Sequence, residues 1–397
     1  MSTFSKVAGF GAEPQGFKNN LNKKVIILNK KQWATDALEK IIPKVKAECE
    51  RLNGAIPYIP VNNRYADQGE IKLWQWTNGF WGGILWQLYN ATKEDIFRKT
   101  AEHLEERMDD AMVDFVGLHH DVGFQWLHTA VANYRITGCE QSFKRGLHAA
   151  NILAGRYNPE ARFINAWNDD RSGWMIIDCL MNLPLLHWAK GFKNLDHYGF
   201  IAKNHADATI DILYRGDGSV HHIAIMDKET GEALEFPPGQ GYESGSSWSR
   251  GHAWALYGFA LSFRHTGEAE YLDTAKSIAH YFIANAAATG FIPLCDFRAP
   301  DEPFKEDTTA ALIAVCGLLE IAGHVGEHEK HLYESNALKI LQATADKHAD
   351  YDVERDGIIG GGTVAYNFGE LHVPIIYGDY FFVEAVLRLL DKHIHIW

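Results

Sequence analysis

The chain has 397 residues, 46% hydrophobic and 22% charged, which excludes a disordered or fibrous class and implies a large core. Its formal charge of −13 argues against a surface that neutralises nucleic-acid phosphates or anionic membranes, so neither is expected as a partner. An aromatic content of 12%, with 12 Trp, suits bulky packing or a stacking surface for sugar rings and bases. Residues 1–24 are Gly-, Asn- and Lys-rich without periodicity and are expected to be a flexible N-terminal extension to a single domain over 25–397. From Lys31 onward apolar residues recur at i, i+3, i+4 and i+7. That spacing predicts helices over about 32–53, 76–90, 93–112, 121–137, 140–155, 172–189, 193–213, 248–265, 268–286, 307–323, 330–348 and 378–391. Alternate members differ in character. Those opening WTNGFWGGILW, DVGFQWLH, SGWMIIDCLMNLPLL, SSWSRGHAWALYGF and GDYFFVEAVLRLL start with aromatic and polar groups and stay apolar nearly all round. Those such as AEHLEERMDDAM carry one charged face. Amphipathic helices belong outside and uniformly apolar ones inside. The predicted fold is therefore all-α, an (α/α)6 barrel or six-hairpin α/α toroid. A DG turn at Asp217-Gly218, an alternating stretch and a second turn at Glu229 to Gly231 predict a small β-hairpin insertion near 217–232. The run Gly360-Gly361-Gly362 reads as a flexible lid or a turn.

The five cysteines, Cys49, Cys139, Cys179, Cys295 and Cys316, form no Cys-x-x-Cys pair, as in a reduced interior. The first residues lack the apolar core of a signal peptide, and no apolar run is long enough to span a bilayer, so a cytoplasmic location is expected.

In such a toroid the loops leading into the inner helices converge at one end and make the site. Asp121 in HHDVGF and Asp178 in GWMIIDCLMNLPLL are 57 residues apart, close to one hairpin repeat, which places them on neighbouring inner helices. A carboxylate inside an apolar helix resists ionisation, whereas one at a helix N-terminus is held charged by the dipole. Asp178 therefore reads as a proton donor and Asp121 as its ionised companion. The alternatives are an ordinary N-cap for Asp121 and a buried structural acceptor for Asp178. Gln240, Trp248 and Arg250 fall in GQGYESGSSWSRGHAW, where Ser246 or Ser247 is positioned to cap the next helix. Trp248 there suits sugar stacking and Arg250 a carboxylate grip, or else packing and a surface ion pair. His221 and His222 alternate on the expected strand, so only one faces the mouth. Trp76, in the cluster Trp74, Trp76, Phe80 and Trp81, is either a sugar platform or barrel packing. The histidines of HVGEHEKHLYE follow H-E-x-H rather than H-E-x-x-H, so no metal is expected, and no dinucleotide or Walker motif points to a cofactor.

Together these pieces resemble glycoside hydrolase family 88, the unsaturated glucuronyl hydrolases. The resemblance is carried by WTNGFW (76–81), HDVGF (120–124), IDCLMNLPLL (177–186), DGSVHH (217–222), QGYESGSSWSRGHAW (240–254), EDTTAALI (306–313) and GDYFFVEA (378–385). It implies an (α/α)6 barrel acting on unsaturated uronyl oligosaccharides, removing a Δ4,5-unsaturated uronic acid from the non-reducing end of lyase products. It further implies Asp178 as general acid and base, Asp121 as its partner, and His222, Gln240, Trp248, Arg250 and Trp76 as substrate-binding residues. A monomer or weak homodimer is expected. Members specialised for sulfated glycosaminoglycan fragments carry a Ser-x-x-Ser-x-Lys stretch where this chain reads TVAYNFGELHVPIIYGDY (363–380), so a preference for 6-sulfated disaccharides is not expected. The competing readings are an unsaturated rhamnogalacturonyl hydrolase on the same barrel and a non-catalytic sugar-binding toroid.

Overall fold

The computed structural model describes residues 15–397, with side chains from Lys30 onward. Residues 1–14 of the expected extension lie outside the described residues, and residues 15–24 are the start of the helix Gln15–Leu52. Helices alternate between two rings. The outer ring is Gln15–Leu52, Asp95–Arg107, Glu140–Ala154, His197–Leu213, Ala269–Ala288 and Glu327–His348. The inner ring is Phe80–Thr92, the run from Val122 to Thr137, Leu183–Lys190, Ser249–Thr266, Thr308–His324 and Ile376–Leu389. Successive inner helices pack side by side, and Ile376–Leu389 returns to Phe80–Thr92, which closes the α/α barrel.

The burial pattern explains the layering. Asp95–Arg107 buries only Phe97, Ala101, Leu104 and Glu105, one stripe at helical spacing, so it lies on the outside. Ser249–Thr266 buries every residue from Ser249 to Ser262 and can only be interior. At the end of the barrel opposite the helix starts, Trp397 acts as a stopper. Its ring lies parallel to Phe381 at 5.9 Å, and its Nε1 donates to Glu384 Oε2 at 3.0 Å. Among the described residues no helix is long and apolar enough to cross a membrane.

The helix expected over 172–189 is only partly helical. Trp174–Ile176 is a strand, Ile177–Met181 a 3-10 turn, and the helix begins at Leu183. A short apolar run reads the same in a strand and in a buried helix, and the partner strand decides. That partner is Ile223–Met226, which sets Ile176 opposite Ile223 and pairs on its other edge with Ala233–Glu235. The expected hairpin therefore lies at Ile223 to Glu235 and gains a third strand. Gly362 exchanges two 2.9 Å backbone hydrogen bonds with Val373, so the glycine run is a pinned turn.

Candidate active site

The turn before Val122–Trp126 carries His119, His120 and Asp121 into a cavity of about 480 Å³ where the inner helices begin. Asp121 stands at the N-cap position but makes no capping bond. Its Oδ2 lies 3.3 Å from His119 Nδ1 and 3.5 Å from His120 Nε2, and its Oδ1 lies 3.5 Å from Asn182 Nδ2. Burial, reinforced by the charge of Asp178, pushes the Asp121 carboxyl well above the usual carboxylate range. This reverses the expectation of an ionised Asp121, because desolvation outweighs the helix dipole. Asp178 sits on the 3-10 turn Ile177–Met181 rather than inside a helix, with its side chain 13% exposed. Asn182 joins the two acid-bearing segments. Its Oδ1 accepts from Phe124 N at 2.8 Å, and its Nδ2 lies 3.4 Å from the Asp178 carbonyl. A Cβ on Gly123 would come within 2.6 Å of Asn182 Cα, so this approach requires glycine.

His222, from the strand edge, is buried with its Nε2 3.5 Å from Asp178 Oδ2, an oxygen with no other partner. Gln240 N donates to His222 Nδ1 at 3.1 Å, which makes Nδ1 an acceptor and leaves the proton on Nε2, facing Asp178. The Pro238 carbonyl, 3.2 Å from the same Nδ1, would need the opposite tautomer and is the poorer partner. His221 faces away and stacks on Phe236 at 4.1 Å. Gln240 lines the cavity and donates through Nε2 to the Val364 carbonyl at 2.7 Å. Trp76 also lines it, backed by Tyr377 at 5.0 Å and Phe124 at 5.4 Å.

Trp248 and Arg250 are placed differently from the expectation. Trp248 is buried beneath His222, with ring centroids 4.2 Å apart, and supports the imidazole rather than forming a cavity wall. Arg250 is 1% exposed and its Nη1 is taken up by Asp307 Oδ2 at 2.7 Å and the Thr363 carbonyl at 2.7 Å. Its Nη2 donates to the Val364 carbonyl at 2.5 Å. Neither Ser246 nor Ser247 caps the following helix: Ser246 Oγ donates to Asp296, and Ser247 Oγ accepts from Arg215.

Asn182, His119, His120, Lys72, Trp167 and Arg171 also belong to the site, though none of them is expected there from the sequence. The pair His119-His120 immediately before Asp121 was the available signal for two of them; the others come from segments that only the fold brings together. His119, His120 and Asp121 offer ligand atoms within 4.8 Å of one another, which makes them the one group among the described residues able to hold a metal ion.

The model of Glycosyl Hydrolase Family 88 matches residues 59–289. Over 79% of the chain and 86% of the relative, the sequence is 37% identical to an unsaturated glucuronyl hydrolase of Bacillus sp. (strain GL1). The chain belongs to Glycosyl Hydrolase Family 88. A second relative, an unsaturated chondroitin disaccharide hydrolase of Streptococcus pyogenes serotype M1, is 30% identical over 91% of this chain and 92% of its own. The crystal structure of the Bacillus sp. GL1 unsaturated glucuronyl hydrolase, responsible for degradation of glycosaminoglycan, superposes with a TM-score of 0.85 at 34% identity. It covers 90% of this chain and 96% of its own.

Proposed function

We propose that this family 88 hydrolase hydrates the C4=C5 bond of a Δ4,5-unsaturated uronic acid at the non-reducing end of lyase-generated oligosaccharides, with Asp178 as general acid and base. The observation that carries this reading is the convergence of Asp121 and Asp178 on one cavity with His222 set against Asp178. Relatives named for glucuronyl and chondroitin disaccharide hydrolysis support the substrate class.

Asp178 donates a proton to C4, leaving an oxocarbenium-like centre at C5. Water adds at C5 and gives its proton back to Asp178. The hemiketal opens, C1 is left as a hemiacetal, and its collapse breaks the bond to the second sugar. Net water addition at a vinyl ether does not depend on the carboxylate separation that divides retaining from inverting glycosidases. The Asp121 carboxyl, pushed well above the usual carboxylate range by burial and then by the charge of Asp178, keeps a proton in the site beside Asp178. His222 Nε2–H orients Asp178, Trp248 holds His222, and Trp76 supplies an aromatic wall. Arg250 is a positioning residue that fixes residues 363–364 and, through them, Gln240. We place the activity in the cytoplasm, on a monomer or weak homodimer, with five unpaired cysteines in support of a reducing compartment.

Ultraviolet absorbance tests this directly, because the conjugated chromophore disappears on hydration. Loss of absorbance is expected with unsaturated glycosaminoglycan disaccharides, and Asp178→Asn is expected to lower kcat by about 10²–10⁴-fold. Full activity in that variant would overturn the acid assignment. Turnover of pectin-derived disaccharides alone would favour the rhamnogalacturonyl reading.

A further inference from the structure

The cavity extends beyond the acid pair to a wall formed by Lys72 and the loop 167–171. That loop is anchored: Asn168 Nδ2 donates to the Val116 and Leu118 carbonyls at 2.8 and 2.6 Å. The Arg171 guanidinium lies 4.2 Å over the Trp167 ring, and its Nε donates to Asp169 Oδ1 at 2.8 Å. Its Nη1 has no partner among the described residues. The Lys72 ammonium makes no ion pair or hydrogen bond among them either, although the chain carries a net charge of −13. Asp169, the one carboxylate of that loop lining the cavity, is already held by Arg171, so Lys72 is left as the unpaired charge of this wall among the described residues. The wall around residues 363–366 offers nothing comparable. Its carbonyls are occupied by Arg250 and Gln240, and Lys305 donates to the Tyr366 carbonyl. A cavity of about 480 Å³ falls within the roughly 300–1,000 Å³ of pockets that enclose a ligand larger than one sugar ring.

We propose that Lys72, with the free Nη1 edge of Arg171, forms a subsite for a sulfate on the sugar that leaves. This rests on the hydrolase reading above, which puts the uronate ring at Asp121 and Asp178 and the second ring further along the cavity. The cation is uncompensated until such a substrate binds, and a partly enclosed ammonium loses less of its attraction to screening than a surface one.

The experiment measures kcat/KM on unsaturated uronyl-N-acetylgalactosamine disaccharides that are unsulfated, 4-sulfated or 6-sulfated, at low and moderate salt. At least one sulfated isomer is expected to exceed the unsulfated one by about five- to tenfold, an advantage that salt reduces. In Lys72→Met that ratio is expected to fall towards one. Wild-type turnover without preference for either sulfated isomer would overturn the proposal, as would a ratio unchanged in the variant. An equal loss on every substrate would overturn it too, by assigning Lys72 to the uronate carboxylate. Absence of turnover on the whole panel would overturn the hydrolase reading and the subsite with it.

Discussion

Arg250 and Asp307 are both fully enclosed, and Nη1 of the arginine serves Asp307 and the Thr363 carbonyl at once. Removing one partner of a buried pair strands the other charge in a low-dielectric interior, which is far costlier than the net worth of the pair. Arg250→Ala is therefore expected to lower stability by about 3–5 kcal/mol, read from urea denaturation. Its kcat should fall as well, because Gln240 hangs on the same Val364 carbonyl. Arg250→Lys should recover only part of both, since one ammonium cannot replace a fork that reaches Asp307 and two carbonyls. Unchanged stability with a raised KM would instead mean that the guanidinium reaches the substrate carboxylate. At this scale the sequence showed which residues matter more clearly than what they do. The W-x-R triplet at Trp248 and Arg250 is visible, but Asp307, the partner that turns the arginine inward, lies on a different helix. Likewise the aspartate pair is legible from its spacing, whereas the degree of burial that raises Asp121 is a property of the packed loops around it.

On the inner helix Ile376–Leu389, Glu384 and Arg388 stand one turn apart and face the interior. Arg388 donates to Glu384 Oε1 at 2.8 Å, Glu320 Oε2 at 2.9 Å and Tyr257 Oη at 2.7 Å, tying three inner helices together. Desolvation pushes Glu320 up, but Arg388, His324 and Arg264 more than offset it and hold the carboxyl well below its usual range. Arg388→Met should therefore cost about 3–5 kcal/mol, because among the described residues Glu384 loses the one cation paired with it and Glu320 keeps Arg264 and His324. Adding Glu384→Gln should return part of that loss in thermal melts; a double variant no more stable than the single would show that Glu384 is not the stranded group. The elements themselves were legible because amphipathic and all-apolar helices alternate, as between Asp95–Arg107 and Ser249–Thr266. Residues 172–189 were not, since the strand Trp174–Ile176 exists only because Ile223–Met226 lies beside it. Lys72 and the 167–171 wall were illegible for a related reason: loop residues acquire a common cavity only through the closure of the ring.

That closure depends on a seam between the first outer helix and the last hairpin. Glu48 Oε1 accepts from Gly357 N at 2.9 Å, while Asp379 accepts from Ile358 N at 3.0 Å and Ile359 N at 2.8 Å. Burial, and then Asp379, push the Glu48 pKa up to about 8, against the opposing pull of Gly357 and Lys44. Burial likewise pushes Asp379 up to about 6, although its backbone donors oppose the shift. Both folded values lie above those of an unfolded chain, so the folded state holds protons that the unfolded state has already released. The stabilising contribution is complete below about pH 4 and is lost as pH rises, through about 6 for Asp379 and about 8 for Glu48. Each group bends the curve by at most about 1.4 kcal/mol per pH unit within its window. Glu320 works in the opposite sense, since its depressed value adds stability above the ordinary carboxylate range that acid removes. Below neutrality the buried histidines, among them His128, His187, His205 and His252, are pushed down by burial and add stability as pH rises. Urea midpoints measured from pH 7 to 8.5 should fall with rising pH, and Glu48→Gln should flatten that fall. An unaltered slope in Glu48→Gln would mean that Glu48 is already ionised in the fold, with Lys44 as its counter-charge at the point where the ring closes.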